Sequence, residues 1–172
     1  MASTLKVLNA LKNPGQEYPF TADAQIEEME VFGDPVLFTD VAVEGVFTGM
    51  GETVSIEATA TAKVTSRCAR CLEEVSMSIT AEIHAEFTRE PDPEDPDQYC
   101  FEASTLELTD AIRDALVLEL PIRFLCKEDC KGLCSQCGTN LNTGTCNCLH
   151  GDDEMNPFAA LRSMIVDNNE EV

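Results

Sequence analysis

The amino-acid sequence is poor in aromatic and basic residues. It has no tryptophan, two tyrosines and two histidines, and its 11 lysines and arginines stand against 32 aspartates and glutamates, for a net charge of -21. Electrostatic attraction to phosphates supplies most of the non-specific affinity of proteins for nucleic acids, and a chain this acidic repels them at long range. The composition therefore disfavours a general nucleic-acid-binding protein and is typical of a soluble one.

Long apolar runs and catalytic motifs are also missing. No stretch approaches the roughly 18 apolar residues of a membrane-spanning helix, and residues 1–16 contain no apolar run of signal-peptide length. No glycine-rich phosphate loop, nucleophile elbow or HExxH pattern occurs. We therefore expect a cytoplasmic protein with no membrane partner and no small-molecule substrate, which is not an enzyme and acts by binding or assembly.

Cysteine is the residue type that is abundant. Six of the nine cysteines lie between Cys126 and Cys148, and the earlier motif CARC supplies Cys68 and Cys71. Thiols stay reduced in the cytoplasm, so clustered cysteines there are more often metal ligands than disulfides. Two cysteines separated by two residues on a tight turn can both reach one tetrahedral zinc ion, at about 2.3 Å.

The cysteine spacing predicts two zinc ions, each held by four cysteines. The first site is local, because a C-x2-C pair and a C-x-C pair are joined by a short, turn-rich loop. Its ligands are Cys134, Cys137, Cys146 and Cys148. The second site joins distant parts of the sequence, and its ligands are Cys68, Cys71, Cys126 and Cys130. Cys100 is left over and is expected to pack as a small apolar residue, with a reactive thiol as the alternative.

Several alternatives stay open at this point. The second site could be absent, with Cys126 and Cys130 joining the later pair, which would leave one zinc ion and a CARC pair free to act as a redox dithiol. His150 could replace Cys148 as a ligand, and an iron–sulfur cluster could replace zinc. The redox alternative lacks support from its context, since this CxxC lies between two strand-like runs and not at the start of a helix.

The periodicity of the chain predicts a sheet and a covering helix. Alternating apolar and polar residues over 36–67 and 75–87, separated by Gly51 and by the CARC motif, predict a three-stranded antiparallel meander. Apolar residues at positions 108, 112, 116 and 120 predict a helix that is capped by Thr109 or Asp110 and ended by Pro121. Residues 90–97, rich in proline and acid, predict a solvated loop, and Asn156 begins a predicted short terminal helix.

The expected fold class is α+β: an antiparallel β meander packed against a helix, with a C-terminal cysteine-rich zinc-binding module and a short terminal helix. The expected domains are an α+β core with the CARC knuckle over 1–125, a zinc module over 126–150, and an acidic segment with a short helix over 151–172.

Positive charge is concentrated beside the cysteines of the second site. More than half of the lysines and arginines lie there, and they are Lys63, Arg67, Arg70, Arg123, Lys127 and Lys131. Four thiolates around a divalent cation carry a net charge of about -2, which these cations would offset. A shared metal ion would also gather them into one patch, which predicts a contact surface for RNA.

The order of motifs resembles a known family. The segments CARCLEE, LELTDAIRDALVLELPI, LCKEDCKGLCSQCGTNLN and NPFAALRSM, with an acidic proline-rich loop after the first and an acidic stretch before the last, follow one another as in the YceD family of large ribosomal RNA subunit accumulation proteins. The resemblance runs from Leu5 to Met164, and residues 120–142 are its most specific part. Family members that resemble this chain in fold lack some of the cysteines, which implies that metal stabilises this version of the fold and is not itself the activity.

The resemblance implies a non-enzymatic bacterial factor of ribosome biogenesis, which acts in the synthesis, processing or accumulation of large-subunit ribosomal RNA. We expect its partner to be ribosomal RNA or a ribosome precursor, contacted through the six cations or through a basic ribosomal protein that binds the acidic surface. The alternative functions are a thiol redox protein and a zinc-ribbon adaptor that docks on another protein.

Overall fold

The computed structural model describes residues 3–90 and 98–148, and that part of the chain is mainly antiparallel β-sheet with two helices. The chain divides into two compact units, Met1–Cys130 and Lys131–Val172. The first unit contains all the named elements, which are β1 (Thr4–Lys6), α1 (Leu8–Lys12), β2 (Glu17–Ala24), β3 (Met29–Val31), β4 (Asp34–Met50), β5 (Thr53–Arg67), β6 (Glu74–Thr88), β7 (Gln98–Cys100), β8 (Thr105–Glu107) and α2 (Thr109–Leu118).

The centre of the fold is the long meander β4–β5–β6. Strands pair in the order β2-β4-β5-β6-β7, with β3 on β4, and all pairs are antiparallel except β6 with β7. The three central strands are those that the alternating pattern predicts. Strands β2 and β3 fall in a stretch for which the sequence predicts no element. Strand β2 does alternate between exposed and half-buried residues, but Pro19 at its centre is unfavourable for a strand inside a sheet.

One face of the sheet carries the hydrophobic core. Every second residue of β5 is buried, from Val54 to Ser66, while the residues between them face outwards. Helix α1 packs on β4, and α2 packs on β6 and β5. The close approach of α1 depends on Gly49, because a Cβ there would collide with the backbone carbonyl of Ala10.

Helix α2 is shorter than the apolar spacing predicts. Its N-cap is Leu108, with no side-chain cap, so the prediction that Thr109 or Asp110 caps the helix is wrong. Asp110 lies instead in the first turn, where a negative charge favours the helix dipole, and it pairs with Arg113 at 2.7 Å. Leu106 belongs to β8, which pairs with β1 beside the helix.

Two predicted features lie outside the described residues, namely most of the acidic loop over 90–97 and the terminal helix after Asn156. Within the described ranges, neither helix is long and apolar enough to span a membrane.

Candidate metal centres

The first cysteine cluster lies at the turn between β5 and β6. Cys68 and Cys71 follow the last residue of β5, and the turn closes when the N–H of Leu72 donates to the carbonyl of Cys68 at 2.9 Å. The N–H of Ala69 donates to the carbonyl of Phe124 at 2.8 Å. Since Phe124 is buried in the core, this bond fixes the segment after α2 beside the turn and delivers Cys126 and Cys130 to it.

The four sulfurs of this cluster converge on one point. All lie within 4.8 Å of one another, with Cys68 Sγ at 3.8 Å from Cys130 Sγ and Cys71 Sγ at 3.6 Å from Cys126 Sγ. Disulfide sulfurs are about 2.0 Å apart, so these pairs are not bonded to each other. Sulfurs that surround a tetrahedral zinc ion at about 2.3 Å are about 3.8 Å apart, which is the spacing observed.

This geometry discriminates among the alternatives that the sequence leaves open. The four sulfurs are spaced as a single metal ion requires. A cavity of that size has no room for the several irons and sulfides of an iron–sulfur cluster. Cys68 is fully buried and Cys71 is 4% exposed, whereas a redox dithiol needs a sulfur that a substrate can reach. The donor set therefore fits a single structural zinc ion.

The thiols of the first cluster cannot all ionise without a cation. Burial raises the pKa of Cys68, but three backbone N–H groups donate to its sulfur and bring the pKa down to about 6. The N–H of Glu73 lowers the pKa of Cys71, but burial and the neighbouring sulfurs outweigh it and raise the pKa to about 12. The thiol of Cys68 therefore ionises readily, whereas that of Cys71 resists ionisation. A divalent cation would allow both to bind as thiolates, because it replaces their protons.

Arg70 holds the two halves of this cluster together. Its guanidinium Nη1 donates to the backbone carbonyl of Cys130 at 2.9 Å and to that of Glu128 at 3.2 Å. The side chain of Arg70 therefore donates to the backbone of the segment that carries two of the four sulfurs. The sequence predicts an RNA contact for Arg70 and does not predict these hydrogen bonds. A residue inside the CxxC motif nevertheless lies within reach of any cysteine pair that packs against the motif.

The second cluster is built from a short segment of the second unit. Cys134, Cys137, Cys146 and Cys148 have their sulfurs within 4.8 Å of one another. The N–H of Cys134 donates to the carbonyl of Thr139 at 2.8 Å, and Cys137 Sγ lies 3.1 Å from Thr139 Oγ1. That hydroxyl, followed by the N–H of Thr139, lowers the pKa of Cys137 to about 6. Thr139 therefore contributes to the second cluster, and the spacing of the cysteines alone does not identify it.

Both CxxC turns use the same backbone geometry. The N–H of Gly138 donates to the carbonyl of Cys134 at 2.9 Å with φ at +72°, and Leu72 makes the corresponding bond to Cys68 with φ at +61°. Glycine adopts this left-handed conformation freely, whereas a leucine there is strained by roughly 1–2 kcal/mol. The surroundings of the first turn therefore hold Leu72 in this conformation, whereas in the second turn the glycine itself favours it.

The remaining predicted site residues are placed as follows. Cys100 lies outside both clusters and is exposed, so the prediction that it packs as an apolar residue is wrong. His150 lies outside the described residues, and Cys148 occupies the fourth position of the second cluster. The cations other than Arg70 are exposed, and none forms an ion pair within residues 3–90 and 98–148: Lys63, Arg67, Arg123, Lys127 and Lys131. Lys63 and Arg67 share the solvent face of β5, while Lys131 belongs to the second unit.

Comparison with known proteins gives one family. The model of the family described as "Large ribosomal RNA subunit accumulation protein YceD" matches residues 56–164, a range that contains every cysteine of both clusters. No solved structure gave a significant match.

Curated relatives come from bacteria and plants. The chain is 34% identical over 108 residues to an uncharacterized protein of Mycobacterium leprae, a match that covers 59% of this chain and 48% of that protein. It is 28% identical over 118 residues to "Large ribosomal RNA subunit accumulation protein YCED homolog 1, chloroplastic" of Zea mays, covering 49% of this chain and 40% of the relative. The Arabidopsis thaliana protein of the same name is 40% identical over 47 residues, which cover 27% and 15%. The chain spans about half the length of the mycobacterial relatives that it matches.

Proposed function

Because the chain belongs to the family of large ribosomal RNA subunit accumulation protein YceD, we propose that it is a zinc-stabilised, non-enzymatic factor in the synthesis, processing or accumulation of large-subunit ribosomal RNA. The family is named for accumulation of an RNA and not for a catalytic activity. The observation that carries the proposal is the family match over residues 56–164, which spans most of β5, all of β6, α2 and both cysteine clusters.

Zinc has a structural role in this proposal. The first cluster ties the turn between β5 and β6 to the segment after α2, and the second closes a turn-rich loop of 15 residues that contains none of the named helices or strands. Zinc favours four thiolates in a closed tetrahedral site, and a site without an open position does not take part in catalysis. The metal ions would therefore shape the binding surface.

The partner is ribosomal RNA or a ribosome precursor in the cytoplasm. Lys63 and Arg67 support direct contact with RNA, because both are exposed on one face of β5 and form no ion pair within the described ranges, in a chain that has 32 acids. The acidic remainder of the surface supports a second contact, with a basic ribosomal protein.

The function is tested in cells that lack the gene for this chain. We expect the ratio of large-subunit to small-subunit ribosomal RNA to fall and to recover when the intact chain is supplied. A normal ratio in the deleted strain would contradict the proposal. A variant with Cys68 and Cys134 replaced by serine should restore the ratio poorly, and this variant separates the contribution of zinc from that of the family fold.

The RNA contact is tested by reversing charge on the exposed cations. Lys63→Glu and Arg67→Glu should reduce recovery of ribosome precursors in a pull-down, while Lys6→Glu and Lys12→Glu, exposed cations elsewhere in the chain, should not. Arg70 is left intact because its loss would disturb the first cluster. Equal recovery with both pairs of reversals would remove the RNA surface from the proposal.

Metal analysis distinguishes this function from the redox alternative. Native mass spectrometry should report two zinc ions per chain, and the clustered thiols should resist alkylation until a chelator is added. One zinc ion with rapid alkylation of Cys68 and Cys71 would instead favour the thiol redox protein.

A further inference from the structure

Strand β6 has a free edge along most of its length. It pairs with β5 without interruption from Glu74 to Phe87, but on its other side β7 pairs only with residues 86–88. Within the described ranges, no backbone group outside β5 bonds to residues 74–85. In an antiparallel pair every second residue directs its N–H and C=O away from the partner strand. This edge therefore presents a row of unused donors and acceptors about 40 Å long.

The edge lacks the features that keep sheet edges from pairing. Proteins protect exposed edges with proline, lysine or bulges, and β6 has none of these between Glu74 and Ala85. The opposite edge of the same sheet is protected, because Pro19 lies in the middle of β2 and its missing N–H leaves a gap in the outer row of donors. The difference between the two edges indicates that β6 is kept available for pairing.

A groove runs beside this edge. A depression of about 360 Å³ lies between β6 and α2. Its apolar lining includes Ile83, Ala85, Ala111, Ala115 and Leu118, and the lining is completed by Tyr99 of β7 and by the polar side chains of Glu82, His84, Asp114 and Glu119. Leu118 is 84% exposed. A strand added to β6 would direct alternate side chains to the face that α2 covers, so its apolar residues would lie over Leu118.

The charge around the groove selects the partner. Glu82 and Glu119 lie at its rim, both are exposed, and neither pairs with a lysine or arginine within the described ranges. A second copy of a chain with net charge -21 would be repelled. The carboxylates of Glu82 and Glu119 would repel the phosphates of RNA at this groove, whereas the exposed cations of β5 lie outside its lining. Lysine or arginine side chains that alternate with apolar ones match both the rim and the groove.

We propose that the free edge of β6 binds an extended protein segment of alternating basic and apolar residues as an added antiparallel or parallel strand. The backbone bonds to β6 give affinity, Leu118 selects apolar side chains, and Glu82 and Glu119 select basic ones. This inference goes beyond the proposed function, since it depends on β6 and α2 alone and holds whichever cellular process supplies the segment.

The test uses the intact, zinc-loaded chain and a synthetic peptide. The peptide alternates valine and lysine over eight residues and ends in tryptophan, which is the sole tryptophan in the mixture because the chain has none. Binding is measured by tryptophan anisotropy and located by hydrogen exchange. We expect slowed exchange of alternate amides within residues 74–85 and no change over residues 17–24 of β2.

Two matched comparisons separate strand addition from simple charge attraction. A peptide of the same sequence, N-methylated at every second residue, keeps its charge but loses donors on one edge, and it should bind at least about tenfold more weakly. Leu118→Asp should weaken binding of the parent peptide about tenfold, while Met50→Asp, at another exposed apolar position, should not weaken it. Both substitutions add one negative charge, which by itself would strengthen attraction to lysine.

Three results would overturn the inference. They are absence of binding by the parent peptide, equal binding of the N-methylated peptide, and protection that maps to β2 or to the second unit in place of β6. Because Leu118 is mostly exposed, its substitution is expected to leave the fold intact, and the N-methylated peptide tests the edge without any change to the chain.

Discussion

Replacing Cys68 with serine tests whether a metal ion holds the first unit together. Cys68 is fully buried, and the cluster it belongs to links residues that are far apart in sequence, such as Cys71 and Cys126 at a separation of 55. A cross-link that closes a loop of this length stabilises a fold by about 4 kcal/mol, by restricting the unfolded chain. The serine variant should lose that contribution, because three thiolates hold the ion much less tightly than four.

The expected loss is large enough to measure. For a unit of this size, about 4 kcal/mol corresponds to a fall of roughly 15 °C in the melting temperature. Circular dichroism would follow unfolding, and native mass spectrometry of the same sample should show one zinc ion where the intact chain has two. Cys100→Ser is the matched control, since Cys100 is exposed and outside both clusters, and it should change neither quantity.

Either of two outcomes would refute this reasoning. The serine variant could keep both ions and have the same melting temperature as the intact chain, which would show that Cys68 is not a ligand. Alternatively, a chelator could strip both ions from the intact chain without lowering its melting temperature, which would show that the metal does not stabilise the fold.

Three further predictions concern glycine and tyrosine. Gly49→Ala should destabilise the first unit by about 1–3 kcal/mol in urea unfolding, because the added methyl collides with the carbonyl of Ala10; an unchanged midpoint would show that α1 can move aside. Gly138→Ala adds a methyl with nothing within 4 Å, so its cost is backbone strain alone at φ +72°; zinc at the second cluster should be lost to a competing chelator about tenfold more readily, while the first cluster serves as the internal control. Burial and the hydrogen bond to Asp114 raise the pKa of Tyr99 to about 12 from 10, so the folded chain keeps a proton that the unfolded chain releases, and stability should decline as the pH rises from 10 through 12. Tyr99→Phe should remove that part of the decline, and an identical pH profile for the two proteins would contradict the assignment.

The central strands could be predicted because their environment is uniform. Over β5 one face is buried and the other solvated, so the sequence alternates strictly and its period identifies a strand. Strand β2 alternates as well, but its inward residues are mostly half-buried at the edge of the sheet and Pro19 lies in its middle, so the pattern is a weaker signal for a strand. Helix α1, with five residues, is too short to show a period and exists because Ala10 packs on the sheet.

The start of α2 could not be predicted from its residue types. Thr109 and Asp110 are favourable caps in general, but the chain arrives from β8 with Leu108 already bonded to the carbonyl of Ser3. That bond fixes Leu108 at the helix terminus through tertiary structure and satisfies its N–H, so the position of the N-cap is set by a contact distant in sequence. The role of Arg70 escaped prediction for a similar reason, because its acceptors lie about 60 residues further along the chain.

The sequence by itself determined the second cluster, since its four cysteines lie within 15 residues and a turn with Gly138 is enough to bring their sulfurs together. Only the tertiary structure decided which cysteines join Cys68 and Cys71, because that choice depends on α2 packing against the sheet and on the backbone bond from Ala69 to Phe124. It also decided that β6 keeps an open edge over residues 74–85, because β7 pairs only with residues 86–88. Contacts between neighbours in sequence can be predicted from spacing and residue type, whereas contacts between distant residues depend on how the whole core packs.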